Sequence, residues 1–389
     1  MDKIEELLTR GVANIIPGKA ELEKVLRSSK KLNIFLGVDP TAPRIHLGHG
    51  VNLRKLQQFV ELGHKVTFLI GDFTTKVGDS SDKESERPIL ADDQIEANWQ
   101  TYKQQASKIL DFSKAKVVHN SDWLSKLNFS DVIKLCQQFT LNDYISREIM
   151  KKKLENGVSI RLDEVLYPIM QGYDSYFMDT DIQVGAADQT FNMQAGRSLQ
   201  KKLRNKDSLV LVNQYLTGTD GRKMSKSWGN AIWLDDSPND MYGKVMSIKD
   251  ELIPEYFTLA TELSMSNVQS TMSNQNPMEI KKKLALQIVT ELHSDKASVA
   301  AQEYFENTFQ QKQTPQDIST VSVTSKNIID ILVETQLASS KSEAKRLVEQ
   351  KGVKVNNEVV ATMNYELSTN NSIISVGSRK FVKVELKNG

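Results

Sequence analysis

The sequence predicts an α/β protein with a parallel sheet, followed by a helical domain and a small α+β domain, and three observations carry that prediction. From residue 31 to about 233, short β-rich runs alternate with helical stretches, which argues for a parallel sheet covered by helices. From 237 to roughly 310 the apolar residues keep a 3.6-residue period, as in "MEIKKKLALQIVTELH", and no alternating strand run appears. The stretch "QQKQTPQDISTVSVTSKN" (310–327) is then polar and poor in large apolar residues, as a linker is, and a third unit follows it. These shifts divide the chain into 1–233, 234–322 and 323–389. A length of 389 residues agrees, because one hydrophobic core stops growing before this size.

Taken in order, the N-terminal "MDKIEELLTRGVANII" predicts a short amphipathic helix. The candidate strands are "NIFLGV" (33–38), "KVTFLIG" (65–71), "AKVVHN" (115–120), "DIQVGA" (181–186) and "SLVLVN" (208–213). Between the first two, Leu53, Leu56 and Val60 recur at helical spacing and Gly63 supplies a C-terminal cap. "HLGHG" (46–50) therefore opens the first helix at the carboxyl end of the first strand, where doubly wound sheets bind ligands. A helix N-terminus favours a phosphate through its unpaired N–H groups, and the imidazoles of His46 and His49 add donors. In the last unit Ser340 and Glu343 have capping-box spacing, and the basic helix they open stops near Gly352. Val353 and Val355 then alternate with Lys354, and Asn356-Asn357 suits a tight turn before Val359.

Composition bounds the function. With 50 basic and 49 acidic side chains the net charge is +1, so nucleic-acid binding depends on local patches. The single cysteine, Cys136, permits no intramolecular disulfide, excludes a secreted disulfide-stapled fold, and is expected to be a buried apolar thiol. No run approaches the ~20 apolar residues of a membrane span, and a cytoplasmic protein is expected. No internal repeat is present.

Alone, "HLGH" also reads as a solvated polar turn, and weakly as a zinc site without a third ligand nearby in sequence. A second motif, "GTDGRKMSKSWGN" (218–230), sets Lys223 and Lys226 three residues apart in a loop rich in glycine and serine, where flexible ammonium groups can follow a moving negative charge. In adenylyl transfer the α-phosphate becomes crowded with charge as pyrophosphate leaves, so donors that engage in the transition state accelerate the step. "HLGH" and "KMSKS", in this order, resemble the paired signature of class I aminoacyl-tRNA synthetases, which implies a Rossmann-like catalytic domain. The resemblance places His46, His49, Lys223 and Lys226 on the ATP phosphates, with Thr41 near them and Met224 and Ser225 on ATP. It leaves Gly48 making room for adenine and Asp39 orienting the nucleotide.

In "LYPIMQGYDSYFMDTDIQVGAADQ" (166–189), Tyr167, Gln171 and Asp174 are spaced by four and three, which puts them on one helix face. A solvated polar stripe fits that spacing as well. A tyrosine substrate would donate its phenol to Asp174 while Gln171 and Tyr167 help hold its ammonium group. The run resembles the tyrosine-binding helix of bacterial-type tyrosyl-tRNA synthetases. By that resemblance Asp188 accepts from the ATP ribose, Gln189 contacts tyrosine, and Asp79 in "KVGDSSDKESER" binds the ammonium group. Three positions depart from the family pattern: Phe35 replaces a phenol-contacting tyrosine, "SSD" (80–82) replaces a common Pro-Ser-Gly, and Ala186 and Ala187 replace a glycine and a hydroxyl residue.

Lys341, Lys345, Arg346, Lys351 and Lys354, with Arg379, Lys380 and Lys383, give the last unit a basic patch fit to follow an RNA backbone, although Glu343 and Glu349 dilute it and a solvated charged face has the same composition. This segment resembles the S4-type RNA-binding domain that ends many tyrosyl-tRNA synthetases, and the middle unit then corresponds to a helical anticodon-binding domain. The resemblance implies ATP with Mg²⁺ and L-tyrosine as substrates, tRNA(Tyr) as partner, and no protein-bound metal or organic cofactor. It also implies a homodimer with residues 129–150 at the interface, and no membrane association. The rivals are a tryptophanyl-tRNA synthetase, a small nucleotidyltransferase with a His-x-Gly-His turn, and a synthetase-derived RNA-binding protein without catalysis.

Overall fold

A computed structural model describes residues 2–79, 90–272, 276–310, 320–356, 358–377 and 380–386. The "SSD" departure, Arg379 and Asn357 lie outside the described residues. The chain forms two compact units, one of Met1–Asp236 with Lys244–Ser294 and one of Ser237–Gly243 with Asp295–Gly389.

In the first unit all five candidate strands form. They are β2 (Asn33–Val38), β3 (Lys65–Ile70), β4 (Ala115–His119), β5 (Ile182–Ala186) and β6 (Leu209–Asn213), and they lie parallel in the order β6-β5-β2-β3-β4. The central strands β5 and β6 are buried on both sides, as a sheet with helices on two faces requires, whereas β4 at the edge is only partly buried. From β2 the chain winds outward through β3 to β4, then returns to place β5 on the other side of β2. The switch point falls between β2 and β5, and a crevice opens outside their carboxyl ends.

The N-terminus differs from the sequence expectation. The helix covers only Lys3–Thr9, and Val12–Ile16 forms β1, antiparallel to β6 at the sheet edge. The physical reason is that the β-branched Val12, Ile15 and Ile16 gain a ladder partner in β6, which helical periodicity alone does not register. Cys136 is half-buried, not fully buried. Among the described residues no helix is long and apolar enough to cross a membrane.

Helices Ile253–Ala260 and Pro277–Leu292 belong to the same unit as the sheet. The Arg10 guanidinium donates to the carbonyls of Phe257, Thr258, Thr261 and Leu263, satisfying acceptors that a helix end leaves orphaned. Arg54 pairs with Glu291 at 2.8 Å where both side chains are largely buried. Lys55, buried and donating to the carbonyls of Leu7 and Arg10, is lowered to about 7 by desolvation first and by the Arg10 charge second.

The second unit packs helices Ile328–Glu334 and Lys341–Glu349 on a sheet ordered β7-β11-β10-β8-β9. These strands are β7 (Thr320–Val323), β8 (Val353–Val355), β9 (Glu358–Val359), β10 (Ser372–Val376) and β11 (Lys380–Leu386). The stretch read as linker therefore ends in a strand, because Val323 reaches the core beside Ile331, Leu332 and Val384. Ser340 Oγ accepts from the Glu343 N–H at 3.2 Å as the cap requires, whereas the Glu343 carboxylate accepts from the N–H of Ser339. Lys351, at φ +56°, makes the left-handed turn ahead of Gly352. Asn356, at φ +49°, starts the tight turn that pairs Val355 with Glu358.

Candidate active site

Every residue expected on ATP or tyrosine lines one cavity of about 810 Å³ at the switch point, so residues 35 to 226 of the chain converge there. The phosphate side is built on the Leu47–Glu61 helix, whose first turn follows β2. His46 is its N-cap, and the His46 N–H donates to His49 Nδ1 at 3.3 Å. The two ring centroids are 4.0 Å apart. A Cβ on Gly48 would lie 2.9 Å from His46 Nδ1, so the glycine makes room for the neighbouring imidazole. His46 Nδ1 is buried without a hydrogen-bond partner among the described residues. Burial first, then the charges of Lys226 and Lys223, lower His46 to about 3. Burial holds His49 well below its ordinary value too. Both imidazoles are therefore neutral near pH 7 and offer N–H donors without charge.

The lysine loop is a pinned hairpin. Thr217 bridges Lys223, the Met224 N–H donates to Leu216 O at 3.0 Å, and Gly221 turns at φ +90°. Asn230, 2% exposed, fastens its two sides. Its Oδ1 accepts from the Ser225 N–H at 2.9 Å, and its Nδ2 donates to Asp220 Oδ1 at 2.8 Å and to Lys223 O at 3.1 Å. A Cβ on Gly218 would lie 2.4 Å from that Nδ2, so only glycine lets the amide in. Lys223 Nζ donates to Asp188 Oδ2 at 3.0 Å and lies 4.2 Å from the Tyr215 ring centroid. Lys226 Nζ donates to the Tyr102 hydroxyl at 2.8 Å. The lysines thus share the cavity with the imidazoles, whose protonation both disfavour.

The opposite end is built on the Leu162–Phe177 helix. Asp174 is 1% exposed, and its two oxygens accept from Trp123 Nε1 at 2.7 Å and from Asn120 Nδ2 at 3.1 Å. Desolvation dominates, and despite those donors the carboxyl is pushed up to about 8, with the charges of Asp39 and Asp72 adding to the rise. Phe35 packs beside Trp123 in the apolar wall. Tyr167 donates to Asp39 Oδ2 at 2.9 Å, and Thr74 Oγ1 donates to Asp39 Oδ1 at 2.8 Å. Asn120 Nδ2 also reaches Thr74 Oγ1 at 3.1 Å, which joins Asp174 to Asp39 through one network. Gln189 Nε2 donates to Asp79 Oδ2 at 2.6 Å, while the Thr41 N–H donates to Asp39 O at 2.8 Å. Gln171 lines the same cavity.

A model of the family "tRNA synthetases class I (W and Y)" matches residues 27–310, and one of the "Tyrosine-tRNA ligase SYY-like C-terminal domain" matches 309–380. Tyrosine-tRNA ligase of Thermotoga maritima is 39% identical over 387 residues, covering 97% of this chain and 96% of that one. Tyrosine-tRNA ligase 2 of Clostridium acetobutylicum is 41% identical over 394 residues, covering 99% and 98%. The chain belongs to the class I tyrosyl-tRNA synthetases. The synthetase shares its fold with a C-terminally truncated mitochondrial tyrosyl-tRNA synthetase of Aspergillus nidulans, at TM-score 0.66 and 23% identity over 79% of this chain and 94% of that one. The enzyme of Archaeoglobus fulgidus complexed with L-tyrosine is similar at TM-score 0.62 and 21% identity, over 77% and 100%.

In the synthetase's second unit, Lys341, Lys345, Arg346, Lys351 and Lys354 are all exposed. Lys341 pairs with Asp330 at 2.7 Å. Lys354 points outward from β8 between the buried Val353 and Val355. Sequence reasoning missed Thr74, Tyr102, Asn120, Trp123 and Asn230. The available signal was position, since Asn120 directly follows β4 at the carboxyl edge of the sheet.

Proposed function

We propose that the synthetase activates L-tyrosine with ATP·Mg²⁺ to tyrosyl-adenylate and pyrophosphate, then transfers tyrosine to the 3′ end of tRNA(Tyr) in the cytoplasm. The carrying observation is one cavity with a buried carboxyl group, Asp174, at one end and two neutral imidazoles with two ammonium groups at the other. In this reading the substrate phenol donates to Asp174, Tyr167 and Gln171 help hold the amino acid, and Asp79 with Gln189 receives the ammonium group. The substrate carboxylate attacks the α-phosphate. His46 and His49 donate to phosphate oxygens while Lys223 and Lys226 draw off the charge that grows on departing pyrophosphate, and Thr41 lies beside them. Asp39 and Gly48 serve the nucleotide, Asp188 its ribose, and Met224 and Ser225 the loop that covers it. Removal of one preorganised donor of this kind costs about 10²–10³ in rate.

By role, residues 1–233 are catalytic, 234–322 meet the anticodon and 323–389 are an S4-type module whose basic patch follows the tRNA backbone. A homodimer completes the proposal: within residues 129–150, Phe129 (81% exposed) and Leu141 (60%) are large apolar side chains of the kind an interface covers. Amino-acid-dependent exchange of labelled pyrophosphate into ATP, run across the standard amino acids, tests the reaction. Exchange with tyrosine is expected. Exchange with tryptophan alone, or with none, overturns it.

A further inference from the structure

Among the described residues that line the cavity, Phe35, Phe68, Tyr102 and Tyr167 are buried, whereas Tyr215 is 38% and Trp228 49% exposed. Tyr215 belongs to the ATP end, since Lys223 lies over its ring and donates to Asp188. Trp228, the larger and more exposed of the two, ends the short 3₁₀ turn Lys226–Trp228 on the lysine hairpin. Three residues per 3₁₀ turn send neighbouring side chains out about 120° apart, so the indole and the Lys226 ammonium leave the turn in different directions. The indole is held although it is exposed. Arg222 Cζ lies 4.6 Å from its ring centroid, and Arg222 Nε donates to Asp220 Oδ2 at 2.7 Å. Next to the indole, a Cβ on Gly229 would meet nothing within 4 Å, so the hairpin leaves open space there.

A lone exposed apolar side chain is ordinary on a protein surface. One steadied by a guanidinium at the mouth of a cavity is different, because it offers a flat face beside a positive charge. A single-stranded nucleotide binds such a pair by stacking its base on the ring and bringing its phosphate to the cation. In the reading above, tyrosine and the ATP-derived nucleotide occupy the cavity. The terminal ribose of tRNA then enters through the mouth, and the base it carries stays at the rim. We infer that Trp228 is the platform on which the base of the terminal tRNA nucleotide stacks, with Arg222 supporting the ring and adding positive charge for the adjoining phosphate. This rests on the tRNA charging proposed above.

The test measures single-turnover transfer from enzyme-bound tyrosyl-adenylate to tRNA(Tyr) at subsaturating tRNA, for the wild type, Trp228→Ala and Trp228→Phe. Each receives intact tRNA and a tRNA whose last nucleotide has lost its base. With intact tRNA, Trp228→Ala is expected to transfer about tenfold more slowly than wild type, the scale of one base stacked on an aromatic ring, and Trp228→Phe to recover most of the loss. Removing the base is expected to slow the wild type by a similar factor and Trp228→Ala hardly further, because the partner is gone. Equal effects of base removal in both proteins, an unchanged rate in Trp228→Ala, or a Trp228→Phe no better than Trp228→Ala would each overturn the inference. So would a Trp228→Ala that instead raises KM for ATP in pyrophosphate exchange, since the ring would then serve the adenine of ATP. A wild type that forms no tyrosyl-adenylate, or passes none to intact tRNA, would sink the parent reading, so the two failures are told apart.

Discussion

Asp174 is held by two donors and still favours its proton, because burial desolvates it and Asp39 and Asp72 lie nearby. Its pKa rises from 3.8 to about 8 on folding. Across that window the folded state holds a proton that the unfolded chain has released, so this contribution to stability is full below pH 3.8 and is lost as pH rises toward 8. The slope is at most ~1.4 kcal/mol per pH unit. His46 and Lys55, both lowered, slope the other way, and subtraction removes them. The thermal midpoint of Asp174→Asn minus that of wild type, both without substrate, is therefore expected to increase between pH 5 and 8. A constant difference would contradict the raised pKa. Asp174, Gln171 and Tyr167 were legible because one helix carries them at fixed spacing. Asn120, Trp123 and Thr74 were not, since only the sheet brings the ends of β3 and β4 under that helix.

The lysine hairpin shows how an element departs from its composition. Glycines and serines suggested a flexible loop, but one buried amide, Asn230, ties its backbone at Ser225 and Lys223. Nothing in the local pattern identifies the residue that closes the structure. Gly218→Ala is expected to push that amide aside and misplace both lysines, lowering exchange kcat by up to about 10²-fold with KM for tyrosine little changed. A kcat equal to wild type would show that the hairpin tolerates the displacement. At the N-terminus the 3.6-residue pattern was right for Lys3–Thr9 and wrong beyond it, because the pairing that makes Val12–Ile16 a strand lies about 200 residues away in β6.

For the molecule as a whole, alternation of strands and helices made the sheet legible, and the capping signal at Ser340 located the last unit. Residues 244–294 share a compact unit with the sheet through anchors such as Arg10 and Arg54, which no sequence window contains. If the second unit grips tRNA by charge, a Lys345→Glu, Arg346→Glu, Lys354→Glu triple variant leaves pyrophosphate exchange intact and weakens tRNA charging. Its salt dependence should flatten by about 0.7–0.9 per lost phosphate contact. Equal loss in both assays would make the patch structural. The antiparallel β1 has one more consequence. It shields β6, the five-residue run "LVLVN" with every residue buried, from solvent on its outer side. A preparation clipped before Pro17 would bare a greasy, hydrogen-bond-hungry ribbon, and insoluble self-stitching of neighbouring molecules should follow, visible as light scattering before any loss of helix signal.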